Sequence, residues 1–146
     1  MIALGSDHGG YLYKEELKKH LDAKGIEYID FGTDSTASCD YPVYAEKVCK
    51  EVLEGEADKG ILVCGTGIGM SIAANKFKGI RAACCSESYS ARLTRLHNDA
   101  NVLCLGARVV GEGLAWELAE CFVTTPFEGG KHARRVGLIH DIENKQ

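Results

Sequence analysis

This sequence predicts an α/β fold: a Rossmann-like three-layer α/β/α sandwich with a five-stranded parallel sheet and a C-terminal helix. Three observations predict it. Five short β-like apolar runs alternate with stretches of helical period, and such alternation builds a parallel sheet covered on both faces. Right-handed crossovers then wind the helices to both sides. The 146 residues, 45% apolar and 26% charged, suit a single domain over residues 1–146 whose core needs no staples.

The elements follow in order. Met1 to Ser6 reads as a strand, and Tyr11 to Lys24 as a helix with Leu12, Leu17 and Leu21 on one side, stopped by Gly25. Glu27 to Phe31 is the second strand. Pro42 opens a helix through Leu53, with Val43, Val48 and Val52 among its apolar positions. Ile61 to Cys64 is the third strand, and a glycine-rich turn leads from it into a helix over Met70 to Phe77. Arg81 to Cys84 is a short fourth strand, and Ser86 caps a helix reaching His97. Val102 to Leu105 is the fifth strand, followed by a helix over Gly113 to Phe122. Pro126-Phe127-Glu128-Gly129-Gly130 breaks the chain before a last helix from Lys131 to Glu143.

A net charge of −4 gives no support to nucleic-acid binding, which usually shows a basic excess. Asp7 ends the first apolar run before a leader could form, and no stretch is long enough to span a bilayer, so no membrane partner is expected. Seven cysteines with no CxxC pair read as free thiols of a reducing cytoplasm, and no zinc site is expected.

The chemistry concentrates where the third strand ends, in Cys64-Gly65-Thr66-Gly67-Ile68-Gly69. A strand, a glycine turn and a helix N-terminus expose backbone N–H groups that suit an anion. Cys64 stands at the lip of that cradle, where a helix N-terminus favours an accessible thiolate. The competing reading is a cysteine packed as a small apolar side chain. A dinucleotide fingerprint is the other candidate, with Glu87 about twenty residues beyond the turn as that motif requires. It fails because Met70 occupies the third glycine or alanine position and only two strands remain for a second half-fold. No Gly-Lys-Ser/Thr follows, so the turn is no Walker loop either.

Ligands of doubly wound sheets sit beyond the carboxyl ends of the strands. Ser6-Asp7-His8-Gly9-Gly10 places an acid and an imidazole there, against the alternative of a capping Asp with an exposed His. Asp40-Tyr41-Pro42 brings a phenol to the rim, or simply packs a Tyr in a turn. His97-Asn98 ends the fourth helix, where the dipole favours a cationic imidazole fit for proton donation, or a plain cap. Arg108 follows the fifth strand. Lys131 and Arg135 are four apart and share a helix face, so they can clamp one anion or form a solvated basic face.

The Ser-Asp-His-Gly-Gly start, Asp40-Tyr41-Pro42, Cys64-Gly65-Thr66-Gly67-Ile68-Gly69, Ala73-Ala74-Asn75-Lys76, His97-Asn98-Asp99-Ala100-Asn101-Val102 and the Lys131-His132-Ala133-Arg134-Arg135 tail occur in one order along the whole chain. Together they closely resemble the type B ribose-5-phosphate isomerases, a family that includes subunits of galactose-6-phosphate isomerase. The resemblance implies interconversion of aldose and ketose phosphates through a cis-enediolate, with no cofactor, metal or nucleotide. It makes Cys64 the base between C2 and C1, and has Thr66 with the amides of Gly65, Gly67 and Gly69 hold the oxyanion. His97 and Asp7 would open the sugar ring. His8, Lys131 and Arg135 would grip the phosphate with Arg108 and His132 beside them, and Tyr41 and Asn98 would meet sugar hydroxyls.

It also implies a homodimer with shared sites, in which His97, Asn98 and Arg108 face the partner's Cys64 turn; whether dimers pair into a tetramer stays open. Many members carry Arg where Lys131 stands, which keeps the charge and loses the bidentate fork. Some use a Glu at the position of Met70 as base, so this chain falls in the cysteine branch. The leading expectation is ribose 5-phosphate/ribulose 5-phosphate isomerisation. The alternatives are a six-carbon sugar phosphate, such as allose 6-phosphate or galactose 6-phosphate, and a non-catalytic sugar-phosphate sensor.

Overall fold

The computed structural model describes all residues 1–146. Its elements are β1 (Ile2–Ser6), α1 (Tyr11–Ala23), β2 (Tyr28–Asp30), α2 (Tyr41–Leu53), β3 (Lys59–Cys64), α3 (Ile68–Ala74), β4 (Ala82–Cys84), α4 (Ser88–Asn98), β5 (Val102–Gly106), α5 (Glu112–Thr124) and α6 (Lys131–Asn144). The sheet runs β2-β1-β3-β5-β4 with every pair parallel. The expected α/β/α sandwich is therefore the fold. Its strand order reverses between β1 and β3, which opens a crevice at their carboxyl ends.

Alternate residues of the central strands feed two cores, because strand side chains alternate between faces. Leu4, Ile61, Val63, Leu103 and Leu105 pack against α1, α4 and α5 with Leu17, Ala91, Leu118 and Phe122. Ala3, Leu62, Cys64 and Cys104 pack on the other face with Val48, Met70 and Ala74 of α2 and α3.

Three local expectations are corrected. Leu12 and Val43 are exposed, while α1 buries Lys14, Leu17 and Leu21, and α2 buries Ala45, Val48 and Cys49. Leu12 and Leu17 are five residues apart, as are Val43 and Val48, which on a helix is a turn of about 140° off the shared face. The α1 face is completed instead by Lys14, whose Nζ lies 2.6 Å from Asp30 Oδ2 and 3.0 Å from Glu15 Oε1. The cap of α4 is Glu87 rather than Ser86: its carboxylate accepts the Ser90 N–H at 3.0 Å. Finally, α3 begins at Ile68, two residues earlier than expected.

Glycine decides the chain path at two points beside the crevice. A Cβ on Gly10 would lie 2.2 Å from the Val63 carbonyl oxygen, so β1 turns into α1 directly against β3. Gly67 has φ +78°, the left-handed conformation that a side chain opposes, and it forms the cap of α3.

Candidate active site

At the carboxyl edge of the sheet, Cys64 ends β3 facing the α2/α3 side. It is buried, 5% exposed, rather than accessible at a lip. Inward packing with Met70 and Cys104 accounts for that. Its Sγ accepts the Gly67 N–H at 3.1 Å. The other sulphurs are differently engaged. Burial pushes Cys49 up to about 12 and Cys85 up to about 11, and raises Cys104 well above its ordinary value. Burial and then Cys64 raise Cys84, whose thiol donates to the Thr66 carbonyl at 3.6 Å.

The turn after Cys64 is built for a small anion. The Gly65 and Thr66 N–H groups have no partner within the chain, while the Ile68 N–H is taken by Thr66 Oγ1 at 3.2 Å. The Thr66 hydroxyl hydrogen thus remains free to donate. The backbone of the β5–α5 loop locks this turn, with Ala107 N–H to Cys64 O at 2.8 Å and Arg108 N–H to Gly65 O at 3.0 Å.

Four further expected residues gather around it. Asp7 is buried, and its Oδ1 accepts the Gly10 N–H at 3.0 Å. His8 is half-buried beside it. Arg108 was expected to face a partner chain, yet it lies over its own turn: a Cβ on Gly65 would stand 3.2 Å from Nη1, and one on Gly9 3.7 Å from Nη2. Tyr41 covers the start of α3, 2.9 Å from where a Gly69 Cβ would be.

The rest of the expected constellation is elsewhere. The Gly60 N–H donates to Asn101 O at 2.9 Å, so the α4–β5 junction sits at the amino end of β3. Cys64 lies four positions beyond Gly60, about 13 Å of strand. His97 and Asn98 therefore occupy the opposite edge of the sheet from Cys64. His132 stacks on His97, with ring centroids 4.1 Å apart and planes 10° apart, which brings Lys131 and Arg135 of the α6 N-terminus to that same edge. The Asn98 side lines a groove of about 440 Å³ with Arg81, Ile139 and Ile142. The expected residues thus fall into two groups: Asp7, His8, Tyr41, Cys64, Thr66 and Arg108 at one edge, and His97, Asn98, Lys131, His132 and Arg135 at the other.

Glu128 is a residue that motif reading missed. Its Oε2 lies 3.4 Å from Nε2 of both His97 and His132, and its N–H donates to Leu96 O at 3.1 Å. The available signal was its position four residues before His132, obscured by the two intervening glycines. Burial, then His97, Lys131 and Arg135, hold the His132 imidazole below its ordinary value, with Glu128 opposing them. The donor atoms of His97, Glu128 and His132 lie within 4.8 Å of one another. The two stacked rings, however, hold their in-plane lone pairs in separate, nearly parallel planes, which do not meet at one ion.

Known proteins share this architecture. A family model described as Ribose/Galactose Isomerase matches residues 2–139. Ribose-5-phosphate isomerase B of Escherichia coli is 52% identical, over 99% of this chain and 97% of that protein. The solved ribose-5-phosphate isomerase B of Clostridium thermocellum superposes with a TM-score of 0.97 at 54% identity, covering 99% of this chain and 97% of that one. That of Mycoplasma genitalium, solved with bound ribulose-5-phosphate, has a TM-score of 0.93 at 39% identity, covering 99% and 97%.

A doubly wound domain with these relatives and a thiol at its glycine turn is an isomerase of sugar phosphates. The chain belongs to the ribose/galactose isomerase family.

Proposed function

We propose that this protein, residues 1–146 acting as one isomerase domain, interconverts ribose 5-phosphate and ribulose 5-phosphate. The observation that carries the chemistry is the Cys64 sulphur beneath the Gly67 N–H, beside the unpartnered Gly65 and Thr66 amides. After ring opening, the Cys64 thiolate takes the proton from C2. The electron pair moves onto the C1 carbonyl oxygen, giving a cis-enediolate whose charge is held by those amides and by the Thr66 hydroxyl. Such preorganised donors are commonly the largest catalytic contribution. The thiol then returns the proton to C1 while the proton of the C2 hydroxyl passes to the C1 oxygen, leaving a ketone at C2 and a hydroxyl at C1. Asp7 and His97 move the protons of ring opening, and Tyr41 and Asn98 meet sugar hydroxyls. His8, Arg108, Lys131 and Arg135 hold the phosphate, with His132 fixing the His97 ring by stacking.

These roles need two copies of the chain. His97 stands across the sheet from Cys64, so the His97 edge of one copy completes the Cys64 turn of another, as in a two-fold dimer. Exposed Ile68 and Ile72 on α3, and Ile139 and Ile142 on α6, supply apolar surface for such contact. No helix is long and apolar enough to cross a membrane, and seven unpaired cysteines fit work in a reducing cytoplasm.

A coupled assay of the purified protein on ribose 5-phosphate and allose 6-phosphate tests the substrate. Faster turnover of ribose 5-phosphate is expected. Preference for allose 6-phosphate would reassign the substrate to six-carbon sugars, and no turnover of either would leave a sensor.

A further inference from the structure

The loop of residues 31–40 between β2 and α2 is pinned twice to the end of β1. Its start is tied by the Ser6 N–H to Gly32 O at 2.6 Å and the Thr33 N–H to Ser6 O at 2.7 Å. Its end is tied through a side chain: the main-chain N–H of Cys39 donates to His8 Nδ1 at 3.2 Å. The Cys39 sulphur also lies 3.9 Å from that nitrogen. An amide N–H can only donate. The Nδ1 it meets must therefore offer a lone pair, and the ring hydrogen resides on Nε2.

We propose that the Cys39 amide fixes the tautomer of His8, so that His8 meets the substrate phosphate as an uncharged donor through Nε2–H. This rests on the reading of His8 as a phosphate ligand given above. A second proton on the ring would have to go to Nδ1, which would break the bond to Cys39 and set two N–H groups against each other. The cationic share of phosphate binding then falls to Arg108 and, from the other copy, Lys131 and Arg135. His8 supplies direction rather than charge. The same bond holds the loop that leads into Tyr41 at the start of α2, so Cys39 is a positioning residue for both groups.

Long-range ¹H–¹⁵N spectra of histidine-labelled protein read this directly, with His8 assigned by the signals lost in His8→Gln. Without ligand, His8 should show a protonated Nε2 and a bare Nδ1. Saturation with inorganic phosphate should move the Nε2 signal and leave Nδ1 bare. A hydrogen on Nδ1 in the free protein, alone or in an imidazolium, overturns the tautomer assignment whatever the ligand. The expected tautomer with no response to phosphate overturns the phosphate contact instead, and with it the His8 role it rests on.

Variants separate amide from thiol. Cys39→Ala keeps the N–H and should keep the tautomer; losing it would assign the effect to the sulphur and refute the proposal. Cys39→Pro removes the N–H and should give mixed tautomers, with KM for ribose 5-phosphate raised roughly threefold to tenfold, the scale of one hydrogen bond, and kcat little changed. Should Cys39→Pro not fold, the spectra of the native protein and of Cys39→Ala still decide.

Discussion

Replacing Gly67 by Ala tests how the turn holds the thiol. Gly67 has φ +78°, where a Cβ costs about 1–2 kcal/mol. The added carbon would also stand 2.9 Å from the Leu105 carbonyl carbon and 3.2 Å from the Gly106 nitrogen. Both are backbone atoms of β5, fixed by pairing with β3, so the turn must move rather than the strand. Overpacking of this kind costs about a further 1–3 kcal/mol. Together these give roughly 3 kcal/mol, or about 10 °C in Tm for a chain of this length. The displaced turn carries the Gly67 N–H away from Cys64 Sγ and shifts the oxyanion donors. A drop in kcat of about 10²-fold follows from misplacement on the ångström scale. Differential scanning calorimetry and the coupled assay measure the two effects. Gly113→Ala, where a Cβ meets nothing within 4 Å, serves as the control. A Gly67→Ala protein with native Tm and native kcat would refute the account of this turn.

Three other expectations concern binding, metal and pH. Arg135→Ala should raise KM for ribose 5-phosphate with a smaller effect on kcat, because a remote phosphate is gripped alike in ground and transition states; a fall in kcat at unchanged KM would place Arg135 at the chemistry. Activity should survive exhaustive chelation, since amide donors do the work a Lewis acid would; loss reversed by one divalent ion would contradict this. Burial works against the Asp30 charge, but Lys14, the Gly32 N–H and Lys18 outweigh it and hold the carboxyl below its ordinary value. A depressed carboxylate adds stability above its unfolded pKa and loses it as pH falls through the lower folded one. Asp30→Asn should therefore cost about 1–2 kcal/mol near pH 7, because the buried Lys14 ammonium keeps Glu15 but loses its shorter ion pair, and the deficit should shrink below about pH 4. A deficit that is the same at pH 7 and pH 3 in thermal melts would deny the pair this role.

Legibility differed between the fold and the site. The alternation of apolar runs specified five parallel strands and their helices, because each period reports directly which face is buried. Leu12 and Val43 were misread because hydrophobicity alone was followed: the 100° step per residue excludes them from the faces of Leu17 and Val48. Sequence named Cys64 and its glycine turn, since a strand–turn–helix junction leaves amides free whatever the tertiary details. It could not say that Arg108 folds over its own Gly65, because that depends on strand order, with β5 placed next to β3; His97 across the sheet follows from any parallel arrangement, since the residues before a strand lie at its amino end. Nor could it show the Cys39 amide on His8, a main-chain donor that any residue but proline would supply.

Subunit complementation tests the composite thiol site most directly. Cys64→Ala should lower the isomerisation rate by at least roughly 10²-fold, the scale of a general base, and His97→Ala should be similarly weak. Equal amounts of the two variants, dissociated and reassembled together, make half of all dimers mixed. In each mixed dimer one site of two receives an intact Cys64 from one chain and an intact His97 from the other. Activity should return to about a quarter of the native value. No recovery after verified subunit exchange would mean that Cys64 and His97 do not work in one shared site, and would contradict the account.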